Sequence, residues 1–463
     1  PEQEVDCDLY HKSVAEIMTS YEKHPLSRSQ IIASIGNTVE LAEAVDFKWE
    51  NRNIPALKFC DNAEEVLYEK LSKGLAKLRG KVNNIQNYTK RARYEYDIIK
   101  GMGYCDYFLT LADIAEFADN NNILRGPARG SAGGSLVSYL LNVTRIDPIA
   151  WNLPFERFLN PERTQTAPDV DVDFDPAGRE KVFNYLRQKY GNESVFQILT
   201  LSEMKPSSAI KDAGKAFNLD FNERNEITKF IPNKAFDENG DPIPVSIEEA
   251  MKVPAIKAFA AKYPEVIDVA TKLSGTYRQA GKHAAGVIIL PQPAEEILPI
   301  MRNKGSLITQ YDMETLKKLK GNKIDILGLT TLPVLADCEK LTGVKEADIP
   351  LDDKKTWKLL QSGENMHGIF QLHSPTMSGL LKAIIRADEP NLWFIADINA
   401  LGRPAVLTSG WHKTYIGVRN GKIKPPKYLH QVIDKVLSQT YGTLVYQEQV
   451  MEICQEFAGM SLG

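Results

Sequence analysis

From Ser13 to about Asn121, apolar positions recur at three- and four-residue steps, the spacing that turns one side of a helix toward a core. SVAEIMTSY, QIIASIGNTVELAEAV, AEEVLYEKLSKGLAKL and a longer stretch from Tyr88 to Lys100 keep this rhythm, with polar and glycine breaks between them. The pattern then changes. ILRGPARGSAGGSLVSYLL reads as a glycine-rich loop running into an apolar helix, and a loop rich in Asp, Pro and Asn follows Asn142. PDVDVDFD alternates in steps of two, as a strand with one buried face does. Arg179 to Tyr190 reads as a helix and Val195 to Leu201 as a strand.

Between about Ser202 and Ser274 the helical rhythm returns, broken by the turn-rich DENGDPIP from Asp237 to Pro244. HAAGVIILP (His283 to Pro291), SLITQYD near Ile308 and NKIDILGL (Asn322 to Leu329) resume the strands. From Thr331 to Gly463 helices and loops predominate. The pattern predicts an α+β chain whose sheet is interrupted by a helical insertion. At 463 residues it exceeds what one core usually organises, so two to four domains are expected.

Composition narrows the class only a little. The apolar content of 43% and charged content of 25% suit a globular chain, and no apolar run approaches the roughly 20 residues of a membrane span. No transmembrane or secretory segment is expected. Five scattered cysteines without a CxxC pair predict neither a disulfide framework nor a zinc site, which fits a reducing cytoplasm. The net charge of −4 does not announce a nucleic-acid binder, but it hides a local basic run. Lys413, Arg419, Lys422, Lys424 and Lys427 occur between His412 and Tyr428 with no acidic residue and with aromatic rings interleaved. Such a run either tracks a phosphate backbone or forms a solvated loop closed by Pro425-Pro426. Lys90-Arg91-Ala92-Arg93 reads as an exposed helix face.

The chemistry concentrates in the acidic run. Asp169, Asp171 and Asp173 alternate with valines, so on a strand the three carboxylates share one face. Their mutual repulsion is relieved by a multivalent cation, and hard oxygen ligands suit Mg²⁺ or Mn²⁺. A calcium loop of the EF-hand type needs glycine at its sixth position, where this chain has Phe174. A solvated acidic edge strand is the other reading of this run alone. Arg129, Gly130 and Ser131 open a loop of small residues leading into a helix, the form of a phosphate cradle, though without the GK[ST] of a Walker loop. A lone Asp325 inside the apolar KIDILGL completes a set: Gly-Ser before a helix, paired aspartates, then a third aspartate. That order is the one used by palm-type nucleotidyltransferases, which share carboxylates between two metal ions.

RGSAGGSLVSYLL, FERFLNPER, PDVDVDF, GKHAAGVII, ITQYDM, KIDILGL, GIFQL and TYGTLVYQEQVMEI occur in this order. In that respect the chain resembles the family C replicative polymerases, the alpha subunits of bacterial DNA polymerase III, over nearly its whole length. The resemblance implies a polymerase-beta-like palm (1–200, with a helical amino-terminal part), an inserted helical thumb (201–279), a second palm segment (280–330) and part of a helical fingers domain (331–463). It implies Asp169, Asp171 and Asp325 as metal ligands for two Mg²⁺ ions, with Asp173 in support. Gly130 and Ser131, with Arg129 beside them, would hold the triphosphate, and Arg157 and Lys323 are further nucleotide-binding candidates. Lys205, Lys211 and Lys215, at the start of the thumb, join Lys413, Arg419 and Lys422 as candidate contacts to primer-template DNA. Deoxynucleoside triphosphates are the implied substrates, and sliding-clamp and other replisome contacts are expected through regions absent here. The histidine-rich amino-terminal domain of the family and the rest of the fingers are also absent, and LGRPAVL has Ala405 where the family's turn has glycine. A distant bacterial or phage-encoded homologue is expected. His283 has no second histidine at ligand spacing and is assigned an internal hydrogen bond; His367 and His373 are assigned no chemistry.

Two rival readings use the same residues. One is an untemplated nucleotidyltransferase, which needs neither the long insertion nor the fingers. The other is a non-enzymatic DNA-binding scaffold, which has no reason to keep three repelling carboxylates together.

Overall fold

The computed structural model describes residues 12–22, 25–46, 53–160, 162, 167–232, 235–236, 242–384 and 392–461. Residues 1–52 form one compact unit, whose described part contains the helices Val14–Ser20 and Arg28–Ala44. Both begin on a serine that caps the helix reciprocally with the residue three positions on, Ser13 with Glu16 and Ser27 with Gln30. These polar starts explain why the apolar rhythm begins where it does.

The second unit, Asn53–Gly463, is mixed α and β. Its strands are β1 (Asp171–Phe174), β2 (Val195–Glu203), β3 (Ala235–Phe236), β4 (Pro242–Ile243), β5 (Tyr277–Ile289), β6 (Ile300–Asn303), β7 (Ser306–Asp312) and β8 (Lys323–Gly328). Six of them form one sheet in the order β1-β8-β5-β2-β7-β6, and β3 pairs only with β4. β8, the last strand in sequence, is thus inserted between β1, to which it runs parallel, and β5, to which it runs antiparallel. Alternation along β5 sends Val287 and Ile289 to one face and Ile288 to the other, and each face meets its own apolar cluster, the second joined by Leu290 just past the strand.

The larger cluster is built on the helix Cys105–Asn120, in which Phe108, Leu109, Leu111 and Ile114 are at most 1% exposed. Around it pack the helices Ala63–Leu78 and Pro176–Tyr190, together with Val170, Val172 and Phe174 of the acidic run. The valines of PDVDVDF therefore anchor the strand while its aspartates face elsewhere. The smaller cluster gathers Phe196, Ile198, Ile288 and Leu316.

β5 starts at Tyr277, six residues before the apolar run read as a strand. Its first half is largely exposed and pairs with the far end of β2, Glu203 against Tyr277, so no buried stripe marks it in the sequence. Between those two partners lies the helical insertion, with the helices Pro206–Ala216, Phe221–Thr228, Pro254–Lys262 and Pro264–Leu273 and a core that includes Ile210, Ile256, Phe259 and Val266. Residues 237–241 of its turn-rich run lie outside the described residues. Beyond β8, helices from Thr331 to Ala458 gather around Leu381, Ile398, Leu401 and Tyr415. Cys60, Cys105, Cys338 and Cys454 are free thiols, and Cys7 lies outside the described residues. Among the described residues no helix is long and apolar enough to cross a membrane.

Candidate active site

Asp171 and Asp325 are direct partners across the parallel β1–β8 pair. Asp169 does not belong to a strand, as the alternation had suggested, because pairing in β1 begins only at Asp171. The amide between the two aspartates, Val170 N, donates instead to the hydroxyl of Tyr107, 3.3 Å away on the buried helix Cys105–Asn120. Each of Asp169, Asp171 and Asp325 offers a carboxylate oxygen, and the three lie within 4.8 Å of one another. Burial deepens from the exposed Asp169 through Asp171 to the buried Asp325. Asp173 is not part of this group; it pairs with Arg129 Nη1 at 3.0 Å, while Arg129 Nε stands 3.8 Å from Asp171 Oδ2.

Such crowding is costly for bare carboxylates. Burial, and then the Asp325 carboxyl beside it, push Asp171 up to about 6. Asp325 Oδ1 is buried and has no hydrogen-bond partner, while Asp325 Oδ2 pairs with Lys323, whose Nζ is also 3.1 Å from Asp169 Oδ1. An orphaned carboxylate oxygen within a set of hard oxygen donors fits a divalent cation of the Mg²⁺ or Mn²⁺ class.

The small-residue loop is a tight turn, Gly130–Gly134. Gly130 sits at φ 62°, in the left-handed region, and a Cβ there would lie 3.6 Å from Asp171 Oδ2. At Gly134 a Cβ would come within 2.7 Å of the Pro154 carbonyl oxygen, so only glycine lets the two backbones approach. The following helix, Leu136–Leu140, was expected to offer its N-terminus to a phosphate. It does not, because the chain supplies its own anion. The fully buried carboxylate of Glu95 accepts from Ser135 Oγ, Leu136 N and Val137 N, each at 3.0 Å, and from Arg91 Nε at 2.6 Å. Burial raises the pKa of Glu95, and the Arg91 charge opposes the shift. Arg91 also reaches the carbonyls of Gly134 and Leu153, at 3.0 and 3.1 Å. It therefore turns inward rather than lying on an exposed helix face. One sequence signal marked Glu95: it falls on the buried stripe Tyr88, Ala92, Ile99 of its helix, where a charge needs partners.

With the helix N-terminus occupied, the loop leaves Arg129 and Gly130 exposed and Ser131 partly buried. Ser131, Arg157, Asn160 and Asp169 line a cavity of about 150 Å³. Arg157 itself, in the short turn Phe155–Arg157, pairs with Glu448 of the helix Gln447–Ala458. All three basic nucleotide-binding candidates, Arg129, Arg157 and Lys323, thus have carboxylate partners within the chain. His283 Nδ1 accepts from Ala285 N and Gly286 N, an internal role.

The candidate DNA contacts divide into two groups. Lys205, Lys215, Lys413 and Lys422 are exposed, and Lys211 is partly buried. Arg419 ends the helix Trp411–Arg419 and lies against the rings of Phe394 and Tyr441, 4.9 and 5.3 Å from their centroids. Its Nη1 donates to Tyr415 Oη at 3.1 Å, and Tyr415 and Tyr446 both donate to the buried Asp397. Half of the basic run is therefore helix, and this arginine braces its interior.

Known proteins match along the same length. The family model for the "Bacterial DNA polymerase III alpha NTPase domain" covers residues 64–328, and that for the "Bacterial DNA polymerase III alpha subunit finger domain" covers 331–463. The DNA polymerase III subunit alpha of Aquifex aeolicus (strain VF5) is 37% identical over 96% of this chain and 40% of its own length. That of Bacillus subtilis (strain 168) is 35% identical over 98% of this chain and 40% of the relative. A Staphylococcus epidermidis subunit of the same name is 38% identical over 82% and 35%. The chain spans about 40% of the length of the first two relatives.

Proposed function

Since the chain belongs to the bacterial DNA polymerase III alpha family, we propose that it carries the nucleotidyl-transfer centre of a template-directed DNA polymerase. The observation that carries this reading is the convergence of Asp171 on β1, and Asp169 just before that strand, with Asp325 on β8, remote in sequence. In this reading the six-stranded sheet is a polymerase-beta-like palm, drawn from 1–200 and 280–330. The helical segment 201–279 is the thumb, and 331–463 begin the fingers. A cytoplasmic setting belongs with it.

Asp169, Asp171 and Asp325 would hold two Mg²⁺ ions, which when bound assist attack of the primer 3′ hydroxyl on the α-phosphate and stabilise the departing pyrophosphate. The chain's other residues bind and orient. Gly130 brings its backbone close to Asp171 without a side chain between them, so a triphosphate held by Arg129, Gly130 and Ser131 lies beside the carboxylates. Asp173 holds Arg129 through its ion pair. Lys323 and Arg157 would bind the nucleotide after exchanging their internal partners. Tyr107 holds the peptide between Asp169 and Asp171 at fixed spacing. The exposed lysines of the insertion and of the segment after Trp411 face primer-template DNA, and sliding-clamp and replisome contacts belong to parts of the relatives beyond the matched portion.

Templated primer extension by this chain and by Asp171→Ala tests the assignment. Extension by the parent, falling at least ~10³-fold in the variant, is expected for loss of a shared metal ligand. Equal extension by both removes the assignment, and extension that ignores the template selects the untemplated alternative.

A further inference from the structure

Lys323 opens β8 two residues before Asp325, so both side chains leave the same side of the strand. Its ammonium pairs with Asp325 Oδ2 and stands 3.1 Å from Asp169 Oδ1, and only 13% of the side chain is exposed. Two of the three carboxylates proposed to bind metal are thus engaged by a cation that the chain itself supplies. The third, Asp171, has only the distant Arg129 Nε at 3.8 Å.

We propose that Lys323 is a built-in counter-cation, which holds the carboxylate cluster together in the metal-free protein and is driven off it when a divalent ion binds. The proposal rests on the reading of Asp169, Asp171 and Asp325 as the metal-binding set. Without Lys323, carboxylates whose oxygens lie within 4.8 Å of one another would be opposed chiefly by Arg129. A divalent ion on the orphaned Asp325 Oδ1 would stand beside the ammonium that holds Asp325 Oδ2 and Asp169 Oδ1, and their mutual repulsion in a half-buried site is strong. The backbone of β8 is fixed between β1 and β5, so the exchange falls on the flexible stem of Lys323. The ammonium then needs another anion, and a triphosphate beside Gly130 and Ser131 is the one the reaction provides. Metal and nucleotide binding become linked through one side chain, each releasing it to the other.

Mn²⁺ titration of the nucleotide-free protein, followed by electron paramagnetic resonance, tests this with Lys323→Met, Lys323→Arg and Asp171→Asn. Lys323→Met should bind Mn²⁺ on the order of tenfold more tightly, since a competing positive charge is gone, while Lys323→Arg stays near the parent. Should Lys323→Met fold poorly, the Mn²⁺-induced rise in its melting temperature gives the same comparison, and it should exceed that of the parent. Equal or weaker Mn²⁺ binding by Lys323→Met, with binding still lost in Asp171→Asn, overturns the counter-cation role and leaves the metal assignment standing. Parent-like binding by Asp171→Asn removes the metal assignment itself.

Discussion

Asp171 and Asp325 face one another as register partners on parallel strands, although the whole helical insertion separates them along the chain. Burial and this neighbour raise the Asp171 carboxyl to about 6. Folding therefore favours its protonated form. The resulting stabilisation is complete below the ordinary carboxylate value of 3.8 and is lost as pH rises through about 6. In EDTA, Asp171→Asn should melt above the parent at neutral pH by on the order of 2 °C, and the gap should close toward acid. A gap independent of pH contradicts the environment described for this carboxyl.

Glu95 satisfies the first amides of the helix Leu136–Leu140 and neutralises Arg91. Glu95→Ala leaves buried donors and a guanidinium without their acceptor, so a loss of about 3 kcal/mol is expected. Urea unfolding measures it, and a change within that of an exposed substitution would show that water replaces the carboxylate freely.

Tyr107→Phe removes only a hydroxyl, yet it leaves the Val170 N–H without an acceptor between two aspartates. About 1 kcal/mol of stability should be lost. With the carboxylate spacing loosened, kcat should fall roughly tenfold while KM holds. Steady-state primer extension separates the two, and a KM effect alone would place Tyr107 outside the positioning of the aspartates.

Glu448 draws Arg157 toward the helix Gln447–Ala458. Glu448→Gln frees that guanidinium before nucleotide arrives, so KM for the deoxynucleotide should fall about threefold at unchanged kcat. A rise in KM would mean that the ion pair holds the site in its working form.

What could be read from the sequence followed from local periodicity. The helix Ala63–Leu78 occupies the stretch its rhythm predicts because Ala63, Leu67 and Leu71 lie on one buried stripe. The aspartates of PDVDVDF were legible because Val170, Val172 and Phe174 had to be buried opposite them. The partnership of Asp171 with Asp325 was not, since a register across an insertion leaves no local trace. β6 is a four-residue edge with no fully buried position, and the first half of β5 faces solvent, so neither shows an apolar pattern. Tyr107 was missed for a different reason: it works through a backbone amide, whose partner a side-chain pattern does not record; for Glu95 the buried stripe signals a charge in need of partners but not which ones they are.

The place of β8 in the sheet also sets a timetable. It is the last strand of the six-stranded sheet to leave the ribosome, yet it fills the gap between β1 and β5. At roughly 5–20 residues per second of synthesis, a growing chain carries Asp169 and Asp171 for many seconds before Asp325 exists. Throughout that interval β1 has only the isolated bridge to Arg125, and β5, once made, presents an open edge until β8 follows. The nascent protein is therefore without a complete carboxylate set and open to wrong pairing at the same moment, and one strand ends both conditions.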